Sequence, residues 1–182
     1  NGRIGKLKEV RVWAPGSVPG GSTKVVPVPA GLDYEFWLGP TPSKPYTEDL
    51  CAHEASKKTW WFVQDYTLGF ISGWGVHPLD IAYWGANPWM TGPVSIQGTA
   101  DFPKEGICNT AATWKVEYGF ASGLTMDFRG LYVPANTGEG MRDVRLWQDR
   151  YGRTTTHGTA FEGTDGWVHV DRSGINVYPE SL

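Results

Sequence analysis

The stretch from Thr113 to Phe128 constrains the fold more than any other. Trp114, Val116, Tyr118 and Phe120 recur at every second position, Ala121-Ser122-Gly123 interrupts them, and Leu124, Met126 and Phe128 resume the alternation. A period of two puts these side chains on one face of a strand, and a three-residue break ending in glycine lets the chain double back. The segment predicts an antiparallel hairpin with one apolar face. A lone hairpin cannot bury such a face, so the pair must belong to a larger sheet.

The rest of the chain supplies it. Leu7–Trp13, Val94–Phe102, Val144–Gln148, Thr154–Phe161 and Trp167–Asp171 read as further strands, and Gly163-Thr164-Asp165-Gly166 turns between the last two. The 24 glycines and 13 prolines among 182 residues favour short strands and turns over long helices. They crowd two irregular connections, Ala14–Gly31 and Gly39–Pro45. Between these, Tyr34, Phe36, Trp37 and Leu38 form an apolar patch expected to pack on the sheet. Thr47–Gln64 permits a short helix but has no strong cap. The clearest helix is Trp74–Tyr83, where Val76, Leu79, Ile81, Ala82 and Tyr83 stand at helical spacing. Ser72 is its candidate N-cap, Pro78 must fall near the first turn or kink it, and Gly85 with Asn87-Pro88 ends it. The expected architecture is a single α+β domain over residues 1–182, a large, mostly antiparallel open sheet with few helices covering one face. An uncovered apolar face on such a sheet predicts a dimer or higher oligomer.

Composition and motifs exclude several functions. Sixteen basic against nineteen acidic residues leave a formal charge of −3, without the basic footprint that binds nucleic-acid phosphates. No apolar run is long enough to span a membrane. The four histidines, His53, His77, His157 and His169, lack zinc spacing, so no metal is expected. Cys51 and Cys108 read as free, partly buried thiols, with a single bridge as the alternative. A dinucleotide fingerprint needs G-x-G-x-x-G, but Gly73-Trp74-Gly75 meets Pro78 at the third glycine and Gly138-Glu139-Gly140 meets Asp143. No phosphate-binding P-loop and no G-x-S-x-G elbow occurs, and no cofactor is expected to be bound by this chain.

Chemistry concentrates in Gly69–Gly85, GFISGWGVHPLDIAYWG. In a helix His77 and Asp80 share a face, and a neutral imidazole there suits acceptance of a hydroxyl proton near pH 7. Gly73 and Gly75 leave room for a ligand or another backbone. On spacing alone the plainer reading, a structural histidine at a helix start, is the stronger.

Four runs shift that balance. IGKLKEVRVW (Ile4–Trp13), GLDYEFWLGPTPSKPY (Gly31–Tyr46), the Gly69–Gly85 segment and FEGTDGWVHVDRSGI (Phe161–Ile175) together resemble the C-terminal domain of the Gfo/Idh/MocA family, the glucose-fructose oxidoreductase and inositol dehydrogenase relatives. The helix resembles that of bacterial dehydrogenases reading S-G-W-G-x-H-P-x-D-I. Such proteins join a nucleotide-binding Rossmann domain to an α+β domain whose sheet supplies the substrate pocket and commonly the oligomer interface. They move a hydride between a sugar or cyclitol carbon and NAD or NADP. A lysine of an E-K-P motif in the first domain assists, with an aspartate and a histidine from a D-x-G-x-H helix in the second.

The resemblance places that histidine at His77 and finds Gly73 where the aspartate stands. The E-K-P motif and the Rossmann domain are absent from these residues, and Ser43-Lys44-Pro45 is a loop. Alone, the chain is expected to be inactive. The proton relay then falls to His77, oriented by Asp80 or by a carboxylate elsewhere such as Asp65, while Trp74 offers an aromatic face to a sugar ring or packs in the core. Asp80 reads equally well as a cap or the partner of an arginine. The competing readings are a stand-alone carbohydrate-binding module and a structural assembly domain. Cytoplasmic and exported relatives alike match the residues after Asn1.

Overall fold

The computed structural model describes residues 2–51, 60–131, 139–152 and 156–182, and the side chains of 139–144 fall outside that description. Seven strands form one sheet: Leu7–Pro15 (β1), Pro93–Asp101 (β2), Thr113–Phe120 (β3), Thr125–Leu131 (β4), Gly158–Gly163 (β5), Trp167–Asp171 (β6) and Gly174–Tyr178 (β7). Their spatial order is β2-β3-β4-β1-β5-β6-β7, and every neighbouring pair is antiparallel except β1 with β4. The helices are Tyr34–Leu38 (α1), Phe70–Gly73 (α2), Val76–Ala86 (α3) and Glu139–Tyr151 (α4). The α+β class and the mostly antiparallel open sheet are as expected.

Alternation along β1 sorts the core into two layers. Val10, Val12 and Ala14 face one side, where they join Ala82 and Ala86 of α3, Met126, Phe128 and Phe161. Trp13 faces the other, with Leu131, Ala160, and Trp147 and Tyr151 of α4. The central strand is therefore buried on both faces, as suits a strand that pairs in parallel with one neighbour, β4. Pro78, Ala82 and Ala86 form the buried stripe of α3. Small residues at that spacing let the helix axis come close to β1 and β5.

Four local expectations differ from the structure. Val144–Gln148 lies inside α4, not in a strand. Trp147 and Tyr151, one helical turn apart, reach the same layer only from a helix. That helix also puts a cover on the second face of the sheet. The patch from Tyr34 to Leu38 is a short helix capped by the Asp33 side chain. It packs Tyr34 and Trp37 against Tyr46 and Tyr66 instead of the sheet, and leaves Phe36 at 85% exposure. Ser72 does not cap α3. It sits in α2, where its hydroxyl donates to the Gly69 carbonyl, and Gly75 precedes α3. Finally, β7 extends the edge unannounced, after a turn in which the Asp171 carboxylate accepts from the Ser173 and Gly174 amides. Within Thr47–Gln64, residues 52–59 lie outside the described residues, and Trp60–Phe62 is a 3₁₀ turn. Cys51 and Cys108 are not bridged to each other, and burial pushes the Cys51 thiol up to about 11.

Candidate functional site

The site is set by the short link between α2 and α3. Gly69 begins α2 with a φ of 72°, and the next amide, Phe70 N–H, donates to the Ser17 hydroxyl. The chain then closes tightly: Gly75 N–H donates to the Phe70 carbonyl, and His77 N–H to that of Trp74. Gly73 and Gly75 are needed for this closeness. A Cβ on Gly73 would stand 2.4 Å from Nε1 of Trp61, and one on Gly75 would stand 2.4 Å from the Ile71 carbonyl and 2.5 Å from the Phe128 ring. The space over both glycines is thus already filled, by protein and not by a ligand.

That link aims the start of α3 into a cleft of about 250 Å³ against β5 and β6. His77, Asp80 and Ile81 line it from the helix, His157 and Thr159 from the entry to β5, and Asp171 with Arg172 from the end of β6. His77 and Asp80 are exposed. The Thr159 hydroxyl is buried and donates to the Pro78 carbonyl at 2.6 Å, tying strand to helix beneath the cleft. Thr159→Val keeps the shape and removes that donor. The urea midpoint is expected to fall by an amount worth about 1 kcal/mol with unchanged slope. An unchanged midpoint would show that the bond does not hold the helix in place.

Trp74 organises the groups around the cleft. The rings of His77 and His157 meet its indole edge to face at 5.2 and 5.3 Å, each tilted 74°. The Arg172 guanidinium lies 4.4 Å from the indole centroid. Trp74 is half-buried behind these three groups, which makes it a support for the cleft. Burial holds the His157 ring below its usual value, the charges of Arg172 and His77 add to that, and Asp171 opposes it. His157 is therefore neutral at pH 7.

Asp65 is not brought to this cleft. Its carboxylate pairs with the Lys44 ammonium, which also lies 5.6 Å from the Tyr66 ring centroid. Sequence spacing singled out His77 and Asp80 but not His157, Thr159 or Arg172. No local pattern connects residues some eighty positions apart, and only sheet formation brings them to the helix. A broader depression beside Arg150, Glu162, Trp167 and Tyr178 is a poorer site, because the Glu162 oxygens are already engaged by Arg150 and Tyr151. Among the described residues no cluster of three or more metal-ligating side chains occurs, and no helix is long and apolar enough to cross a membrane.

Comparison with known proteins decides the family. The Gfo/Idh/MocA model described as "Oxidoreductase family, C-terminal alpha/beta domain" matches residues 13–137, well over half of the chain. The chain belongs to this family. The matched span takes in α2, α3 and His77 and ends before His157, Thr159 and Arg172. No curated protein matches. Among solved structures, one described as a "putative oxidoreductase" from Erwinia carotovora atroseptica SCRI1043 is similar with a TM-score of 0.48 and 13% identity, over 99% of this chain and 44% of that one. The chain thus spans less than half the length of that protein.

Proposed function

We propose that this domain forms the substrate side of a nicotinamide-dependent oxidoreductase acting on a sugar or cyclitol hydroxyl. The observation that carries this reading is the cleft at the start of α3, where an exposed imidazole, a second imidazole, two carboxylates and a guanidinium converge. Such a set suits a polyol: carboxylates and neutral imidazoles accept from hydroxyl groups, and a guanidinium donates to them. Family membership supports the reaction class.

The residues present do not fit the dinucleotide itself. A diphosphate cradle needs open space over its glycines, and Trp61, Phe128 and the Ile71 carbonyl fill that space at Gly73 and Gly75. The hydride partner is then held outside this chain, on a nucleotide-binding domain. What these residues contribute is orientation of the hydroxyl and removal of its proton by an imidazole. His77, Ile81 and Trp84 form one stripe of α3, with Ile81 38% and Trp84 77% exposed beside the cleft. An apolar stripe at the rim supports closure of the cleft by a second protein surface. Assembly of two copies through the sheet belongs to the same reading. The β2 edge, with Val94 and Ile96 exposed, supports it, whereas the opposite face around β3 and β4 carries Lys115–Glu117 and Asp127–Arg129 ion pairs where an apolar surface was expected.

The test joins the chain to a nucleotide-binding domain of the family and follows nicotinamide reduction with a panel of polyols. Reduction that depends on a polyol and falls at least tenfold in His77→Gln is expected, since general base catalysis is worth about 100-fold or more. The isolated chain should show no saturable binding of NAD or NADP by Trp fluorescence. Tight binding by the chain alone, or no reduction with any polyol, overturns the proposal.

A further inference from the structure

Two imidazoles from distant parts of the chain line one cleft. His77 begins α3 and His157 leads into β5, yet both rest on the same indole at nearly equal distance and tilt. Both also line the same space of about 250 Å³. We propose that His77 and His157 act as one unit, a pair that carries at most one proton beyond the neutral rings and binds one hydroxyl group of a neutral polyol. The ligand class rests on the function proposed above; the pairing does not.

Three observations carry the pairing. First, no carboxylate can come from α2 to partner His77. Position 73 is a glycine whose side-chain space is taken by the Trp61 indole, so α2 brings no second titratable group to His77. Second, His157 is the imidazole that the sheet delivers there. Third, the surrounding charges favour one proton over two. The Arg172 guanidinium already lies on the indole, so charging both rings would gather three positive groups about Trp74. Against them stand Asp171, whose Oδ1 is engaged by two amides of the β6–β7 turn, and Asp80 on the cleft wall. Burial, the Arg172 charge and, last, the charge of His77 lower the His157 ring against the pull of Asp171. A pair with one proton presents one donor and one acceptor nitrogen to the cleft, which is the complement of a single hydroxyl group. A pair with two presents donors only and lacks that complementarity, whereas two neutral rings keep it through their tautomers. The sequence gives no sign of this, because neither histidine is close to the other along the chain.

The experiment is an NMR titration of the imidazole groups in this 182-residue chain, in the native form and in His77→Gln, His157→Gln and Arg172→Gln. Removing either imidazole should raise the titration midpoint of the other by about half a pH unit, the scale of one like charge at short range. Arg172→Gln, which touches neither ring's own chemistry, should raise that of His157 in the same direction. If each remaining histidine titrates as before in the single-imidazole variants, the pairing is wrong. Glucitol and myo-inositol are then added to the native chain. Joint movement of both sets of imidazole signals, lost in either histidine variant, supports one shared ligand hydroxyl. Movement of one set alone breaks the shared role. Intact coupling with no response to either polyol leaves the pair standing but removes its polyol ligand, and with it the substrate class of the proposed function.

Discussion

Glu162→Ala will lower the melting temperature by several degrees, the thermal equivalent of the roughly 1–3 kcal/mol that follows when a buried donor, here the Tyr151 hydroxyl, loses its acceptor. Glu162 is 8% exposed on β5, and its register partner on β1 is Glu9. Two carboxylates directly opposite each other would split the strands if nothing stood between them. Four bonds prevent this. Arg150 donates to both Glu162 oxygens at 2.5 and 2.6 Å, the Tyr151 hydroxyl donates to Oε1 at 2.6 Å, and Arg11 bonds Glu9 at 2.9 Å while standing 3.7 Å from Glu162. The cluster joins α4 to the middle of the sheet. Taking away the Glu162 carboxylate leaves Arg150 and the Tyr151 hydroxyl without their shared acceptor.

The same cluster sets a pH dependence. Burial alone would push the Glu162 carboxyl up, but the hydrogen bonds from Arg150 and Tyr151 and the two guanidinium charges outweigh it and hold it below the ordinary 4.5. A carboxyl with a lower value in the folded chain binds fewer protons there than in the unfolded chain. Its contribution is therefore complete above 4.5 and is lost as the pH falls through the folded value. Stability measured by urea melts should decline on the acid side in the native chain, and that part of the decline should vanish in Glu162→Gln. A Glu162→Ala variant melting within about two degrees of the native chain would show that the cluster is neutral to stability.

The legible and illegible parts of this molecule differ in the range of the forces that make them. The β3–β4 hairpin was readable because strand alternation and a glycine turn are properties of sixteen consecutive residues, and the register pairs Trp114 with Gly130 and Tyr118 with Met126 as that pattern requires. The α3 helix was readable for the same reason, although it runs Val76–Ala86 where Trp74–Tyr83 was expected, and with it the shared face of His77 and Asp80. The α4 segment misleads as a strand because Val144, Leu146 and Gln148 also satisfy a period of two. Its helical identity depends on Trp147 and Tyr151 finding Trp13, which comes from the other end of the chain. The cleft shows the same division. One wall is local and was anticipated. The other wall, His157, Thr159, Asp171 and Arg172, exists only because β5 and β6 join the sheet beside β1. Gly73 is the instructive middle case. The family resemblance implies a carboxylate there, while the structure fills that space with Trp61, twelve residues away.

Gly73→Asp will supply the carboxylate that the family resemblance implies at this position and will destabilise the chain instead of improving the site. The new Cβ would stand 2.4 Å from Nε1 and 3.0 Å from Cε2 of Trp61, well inside contact distance. Trp61 has little freedom to retreat. Its ring stacks on Trp60 at 6.0 Å and meets the Phe70 ring edge to face at 5.8 Å, and its carbonyl accepts from the Thr67 hydroxyl at 2.5 Å. Overpacking of this kind costs about 1–3 kcal/mol, which for a chain of this size is a loss of several degrees in melting temperature. Trp61→Ala also destabilises, by emptying the same space. The two changes combined should cost less than their sum by at least about 1 kcal/mol, because the carboxylate enters the room that the indole leaves. In that double variant the new carboxylate stands four residues before His77, and the His77 imidazole should titrate higher than in the native chain, since an adjacent negative charge favours its protonated form. Additivity within about 0.5 kcal/mol would show that Trp61 and position 73 do not compete for space. An unmoved His77 titration would show that a carboxylate at 73 does not reach the imidazole, and that the loss of the aspartate from this helix has no bearing on the proton chemistry of the cleft.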